Sequence, residues 1–191
     1  MGDKIFVEGK YDKEFLEIYL HFLGYVEIEI VSCEGNSLKN IHSKIQEAKD
    51  NGEKCLLIFD ADNDFKTTLA RLKDESKGLL REEYIFLFPN NSQNGELETL
   101  LFMIAKEKEI CQCFEQYKRC IEKHKPKYCK NIHKKSARFA YFEALGIPSS
   151  SNPRNDQERR GAYSKIFDLT SSHLGALKDF LTMHLEDKEV E

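Results

Sequence analysis

The chain reads as an α/β fold: a mostly parallel four-stranded sheet flanked by helices, with a helical C-terminal extension. Three observations predict it. Strand and helix patterns alternate through the first hundred residues. The third strand pattern, "CLLIF" from Cys55 to Phe59, is an unbroken apolar run, as a strand covered on both faces requires. After Pro89 only helical patterns remain. Alternation of this kind implies parallel strands joined by right-handed crossovers.

The elements follow in order. Lys4 to Val7 is a short strand. Tyr11 to Leu23 carries Phe15, Leu16, Tyr19, Leu20 and Leu23 at helical spacing, and Gly24 ends it. Val26 to Val31 is β-branched and alternating. Ser37 caps a helix to about Asp50, closed by Asn51-Gly52. Cys55 to Phe59 is the third strand, a helix spans about Phe65 to Lys77, and Tyr84 to Phe88 is the fourth strand. Beyond the loop "PNNSQNG" come helices at about Glu96 to Ala105, Lys108 to Lys123 and Asn131 to Leu145. "GIPSSSNPRNDQ", 146 to 157, combines Gly, Pro and three serines and reads as a mobile loop. Leu174 to Leu185 is a closing amphipathic helix. The expected division is an α/β core over 1–105 and a helical extension over 106–191.

At 191 residues, 40% apolar and 32% charged, the composition is that of an ordinary globular protein rather than a disordered one. No stretch approaches the roughly 20 apolar residues of a membrane span. The N-terminus, MGDKIFVEGK, has charges where a signal peptide carries its apolar run, so a cytoplasmic protein with no membrane association is expected. In that compartment the six cysteines read as reduced thiols. A zinc site from Cys111, Cys113, Cys120 and Cys129 lacks the paired C-x-x-C knuckles that mark such sites. The net charge of −4 does not advertise nucleic-acid binding, yet Lys118 to Arg138 holds nine Lys/Arg against one acid, Glu122. An acidic cluster early and a basic stretch late suits a metal-assisted enzyme on a phosphate substrate. Lysines placed in water by ordinary helices are the competing reading.

The chemistry-bearing residues sit at strand ends. In open parallel sheets ligands bind beyond the carboxyl ends of the strands. Glu8, before Gly9, follows the first strand; Asp60, Asp62 and Asp64 follow the third. If those strands are neighbours, four carboxylates share one edge. Like charges so close repel, and a hard divalent cation compensates them. A calcium loop begun at Asp60 fails, because its sixth and twelfth positions are Phe65 and Arg71. A haloacid-dehalogenase-type phosphatase motif fails too: the fifth position is Asp64 and the strand is the third. Helix capping explains one of the three aspartates well and all three poorly. Glu96 and Glu98 suit a helix's first turn, and Glu98 also lies past the fourth strand on the same edge. No Gly-rich phosphate loop and no Ser or Cys triad is present.

"IFVEGKYDKEFL" together with "LLIFDADND" resembles the Toprim domain shared by topoisomerases, primases and several small nucleases, whose Rossmann-like core carries Glu-Gly after the first strand and D-x-D after the third. "GELETLL" is similar to the G-x-L-E element of OLD-family nucleases and of small stand-alone relatives. The core resemblance covers about residues 4 to 105; the ending "IFDLTSSHLGALKDFL" is similar to the tail of the stand-alone proteins. The resemblance implies Mg²⁺- or Mn²⁺-dependent phosphodiester chemistry on DNA or RNA, most simply a nuclease. It implies Asp60 and Asp62 as metal ligands with Asp64 beside them, Glu8 as a metal ligand or general acid/base, and Glu98 at a second metal. Lys135, with Lys134 close by, is the lysine expected to stabilise charge on the phosphate. No ATPase, primase or gyrase partner region accompanies these motifs. The alternatives are a non-catalytic or partner-dependent nucleic-acid module and a hydrolase of small phosphoesters. Sequence selects neither a protein partner nor an oligomeric state.

Overall fold

The computed structural model describes residues 2–26, 28–125, 127, 132, 135–147 and 156–185. Four strands form one sheet: β1 (Lys4–Val7), β2 (Glu29–Ser32), β3 (Cys55–Asp60) and β4 (Ile85–Phe88). Their order is β2-β1-β3-β4 and every pairing is parallel. Helices α1 (Lys10–Phe22), α2 (His42–Asp50) and α3 (Phe65–Glu75) make the crossovers. The chain divides into two compact units, Met1–Leu100 with Ser171–Glu191, and Leu101–Thr170. The expected boundary at 105 and the observed one at 100 are five residues apart, and the described residues 171–185 join the first unit by their contacts.

In the first unit, burial of both sheet faces explains the apolar runs. Phe6, Leu57, Phe59, Ile85 and Leu87 point to one side and pack with Ile45 and Ala48 of α2 and Leu72 of α3. The alternate residues serve the other side, where Phe15 of α1 meets Phe88 edge-on at 6.2 Å between centroids. There Phe86 meets Phe180 of the last helix, α8 (Gly175–His184), at 5.3 Å. All six residues of β3 are buried, and each Leu, Ile or Phe so placed contributes about 1.5–3 kcal/mol.

Two elements of the first unit differ from expectation. β2 begins at Glu29, not Val26. Among the described residues it is an edge strand paired with β1 alone, which starts at Lys4 opposite Glu29, so no described strand lies beside Val26, which stays exposed. The helix expected from Ser37 is split into a 3₁₀ turn, Leu38–Asn40, and α2. Ile41 between them has φ −121°, outside the helical range. Ser37 accepts the Lys39 N–H as a cap and donates to Glu75, which also accepts the Leu38 N–H at 2.7 Å.

In the second unit the helices are the remainder of α4 (Leu97–Ile104), α5 (Lys108–His124), α6 (Lys135–Ala144) and α7 (Asp156–Ile166). α7 was not expected: Pro153 and the serines before it made its first residues read as loop. Tyr141, Phe142, Tyr163 and Phe167 form its aromatic centre. Arg138 is buried there, donating to the Tyr163 hydroxyl at 2.9 Å and lying over the Phe142 ring. Much of the expected loop 146–157, and Cys129, Lys130 and Lys134, lie outside the described residues. Among the described residues no helix is long and apolar enough to cross a membrane.

Candidate metal centre

The carboxyl edge of the sheet is assembled from three strand ends and one helix start, all in the first unit. Val7 pairs with Ile58, so Glu8 leaves β1 as Asp60 closes β3 two residues past that pair. β2 is tied in where Cys33 donates its N–H to the Val7 carbonyl at 2.8 Å and Gly35 to that of Glu8 at 3.0 Å. The start of α4 is tied in by Asp60 itself, whose Oδ1 accepts the Leu97 N–H at 2.8 Å. A carboxylate at a helix N-terminus gains from the helix dipole and satisfies an otherwise orphaned donor.

The loop holding Gly95 is stitched to the loop after β3. The Gly95 N–H donates to the Asp62 carbonyl at 2.8 Å. Asn94 accepts the Phe65 N–H at 2.9 Å and donates to the Asn63 carbonyl at 2.6 Å. Gly95 sits at φ +148°, and a Cβ there would meet Pro89 Cδ and Thr99 Oγ1 at 3.0 Å. Glycine is therefore required on two counts, backbone angle and space. This clamp carries Glu98, buried in the first turn of α4, to the edge.

Asp60 is 7% exposed, Glu98 6% and Asp12 7%, while Glu8 is half-buried. Burial pushes the Asp60 carboxyl well above its ordinary range, and the charges of Asp12, Glu8 and Glu98 push it further; the Leu97 N–H works the other way. Cys33 reports the same field. Its thiol is pushed up to about 12, chiefly by burial, with Glu8 and Asp12 adding to the rise. It therefore stays protonated and is no thiolate nucleophile near neutral pH.

The structure thus brings Glu8, Asp60 and Glu98 into one electrostatic neighbourhood and adds Asp12, which sequence reasoning did not single out. The signal was present in "EGKYD". Asp12 Oδ2 accepts the Gly9 N–H at 2.9 Å, folding the first turn of α1 back toward Glu8. Gly9 itself has extended backbone, φ −144°, so a sharp turn is not what it supplies. A Cβ there would lie 3.3 Å from Asp12 Oδ2, so its role is to let that carboxylate approach. Asp62 takes part through its backbone, at φ 54° and in the Gly95 bond. Asp64 caps α3: Oδ1 accepts the Thr67 N–H at 3.0 Å and Oδ2 the Thr67 hydroxyl at 2.9 Å, which hold its carboxyl below the ordinary range. Lys135 opens α6 in the second unit, partly exposed.

The carboxylates that act on Asp60 offer oxygen donors, the kind that hard cations such as Mg²⁺ or Mn²⁺ take. Among the described residues no three His, Cys, Asp or Glu side chains are already gathered at metal-binding spacing.

Residues 2–186 match the model of the family described as Protein of unknown function (DUF3226), and the chain belongs to that family. No curated protein and no solved structure matches it.

Proposed function

We propose that the carboxyl edge of the sheet binds a divalent cation, Mg²⁺ or Mn²⁺, and uses it for phosphodiester chemistry on nucleic acid, most simply strand cleavage. The observation that carries this reading is Asp60: a buried carboxyl whose pKa is raised by burial and by the charges of three further acids, Asp12, Glu8 and Glu98. Burying like charges together opposes folding, and a bound cation turns that cost into affinity. Asp60 and Glu98 would hold the ion from the sheet and the helix start, with Glu8 completing the set or moving a proton. When bound, such a cation polarises a phosphoryl oxygen and supports in-line displacement at phosphorus. Asp12 would position Glu8 through its bond from the Gly9 N–H. Asp64, committed to α3, is given no part, and the reading rests on the carboxylates of the first unit alone.

The test is cleavage of supercoiled plasmid and of labelled single-stranded oligonucleotides with Mg²⁺ or Mn²⁺, comparing wild type with Asp60→Asn. Metal-dependent cutting lost in the variant is the expected result. Calorimetry with Mn²⁺ alone separates binding from turnover: heat in wild type that is absent in Asp60→Asn, without cutting, would leave a metal site and remove the nuclease. No heat in either protein would remove both.

A further inference from the structure

The last turn of α8 ends on a histidine that the first unit encloses. His184 is 9% exposed, and its ring lies beside two aromatic side chains, 4.9 Å from Phe180 of its own helix and 5.1 Å from Tyr84, centroid to centroid. Tyr84 closes the 3₁₀ turn Glu82–Tyr84 that leads into β4. Phe180 in turn packs on Phe86 of β4. Lys54, just before β3, donates from Nζ to the His184 carbonyl at 2.7 Å, satisfying an acceptor that the end of a helix leaves open. The ring and the main chain of one residue thus tie the end of α8 to the starts of β3 and β4.

Imidazole is the side chain whose ordinary pKa lets its charge change between pH 5 and 8. Lys54 and Glu83 face this ring with opposite charges. Burial opposes the imidazolium most, and the Lys54 ammonium opposes it from the β3 side. A hydrogen bond with the Glu83 backbone and the Glu83 carboxylate favour it, without overcoming burial, so the His184 pKa is lowered. We propose that His184 is a pH-operated latch: neutral, it holds the last turn of α8 on the sheet; charged, it lets that turn go. A group whose folded pKa lies below its unfolded value of 6.5 contributes stability that is complete above 6.5 and is lost as pH falls through the folded pKa. Release uncovers Leu181 and Leu185, both buried while the helix is docked, so the acid form offers an apolar surface that the neutral form keeps covered. The latch sits at the starts of β3 and β4, the end away from Asp60, and does not rest on the metal reading.

The test pairs NMR of histidine-labelled protein with hydrogen exchange of the peptide spanning α8, both between pH 5 and 8. The His184 ring signal, assigned by its loss in His184→Gln, is expected to titrate with a midpoint below 6.5. Over the same range, amide exchange at the end of α8, corrected for the intrinsic rate, is expected to quicken at least several-fold as pH falls, while β3 stays protected. His184→Gln keeps a side-chain donor for the Glu83 backbone and cannot take up a proton, so its α8 exchange is expected not to respond to pH. Should Gln loosen the turn at every pH, His184→Phe fills the same place beside Tyr84 and Phe180 and supplies the docked, pH-independent reference. A His184 midpoint at or above 6.5 overturns the inference, as does pH-dependent exchange at α8 that persists in both variants. So does a His184 ring that titrates while α8 stays equally protected at every pH.

Discussion

At the N-terminal edge of the sheet Lys4 reaches Glu53 at 3.0 Å and Glu29 at 3.3 Å, and Lys54 donates to the His184 carbonyl at 2.7 Å. At the carboxyl edge of the same strands, the charges of Asp12, Glu8 and Glu98 add to the burial that raises the Asp60 pKa. The first edge is arranged as folding alone would arrange it, with opposite charges paired and the Lys4 pKa raised by those partners, Glu53 foremost. The second gathers acids around a buried carboxyl whose pKa they raise. Strained electrostatics of this kind gather where function requires them. The contrast is informative because both edges belong to the same strands, share one core and differ only in which ends of the strands they collect.

Asp60→Asn breaks the comparison most sharply. Asn retains an oxygen for the Leu97 N–H and removes the buried charge. Without metal the variant is expected to melt several degrees above wild type, and with Mg²⁺ or Mn²⁺ only wild type is expected to rise. The pH dependence carries the sign. The folded-state pKa of Asp60 is raised, so its favourable contribution is complete below the unfolded value of 3.8 and is lost as pH rises through the folded pKa. The Tm difference between variant and wild type is therefore near zero in acid and widens toward neutrality. Calorimetric melting across that range checks it. A variant less stable than wild type at pH 7 would mean that the acids at this edge are compensated within the protein.

Asp12→Asn is the next largest. It keeps an acceptor for Gly9 and removes the neighbouring charge that raises Asp60 most. Carboxyl NMR titration is expected to move the Asp60 midpoint down toward 3.8, with a smaller gain in Tm than for Asp60→Asn. An unmoved midpoint would separate Asp12 from the site.

How far the sequence discloses this edge depends on which physical signal each residue leaves. The strands were legible because a doubly covered sheet demands unbroken apolar runs: β1 was placed at Lys4–Val7 as observed, and β3 to within one residue. Glu8 and Asp60 were legible because a charge at the mouth of such a run has no folding reason to be there. Asp12 was hidden because an acid in the first turn of a helix is ordinary, and only the Gly9 contact shows which way it faces. Asp62 and Asp64 share letters and spacing with Asp60 but not circumstances. The left-handed backbone at 62 and the cap at 64 arise from the turn that follows β3, which periodicity does not encode. α7 was hidden for a similar reason, since Pro and Ser before it outweighed a weak amphipathic pattern.

Asp64→Ala sharpens the contrast from within the same five residues. It leaves the Thr67 N–H and hydroxyl without their acceptor. The depressed pKa of Asp64 means its contribution is present above 3.8 and lost as pH falls, the reverse of Asp60. A drop in Tm of a few degrees at neutral pH is expected, shrinking in acid, with the metal-induced rise unchanged. A diminished metal response would return Asp64 to the site.

The smallest effect expected is at the other edge, and salt makes it decisive. Lys4→Gln removes the pairs with Glu29 and Glu53, whose side chains are 61% and 10% exposed. Pairs in that setting contribute little, so a fall in Tm of a degree or so is expected. Lys4 and Glu29 are open enough to water for dissolved ions to screen them, at a Debye length of about 10 Å in 0.1 M salt and about 3 Å at 1 M. Raising salt should therefore erase most of the Lys4→Gln difference. Asp60 is buried, and ions reach its neighbourhood poorly, so the gain from Asp60→Asn should persist at the same salt concentration. Paired melting curves of the two variants in low and high sodium chloride read both edges at once. If salt abolished the Asp60→Asn gain as readily as the Lys4→Gln loss, the acids at the carboxyl edge would be solvated rather than buried. The cost that a cation is proposed to relieve would then be absent.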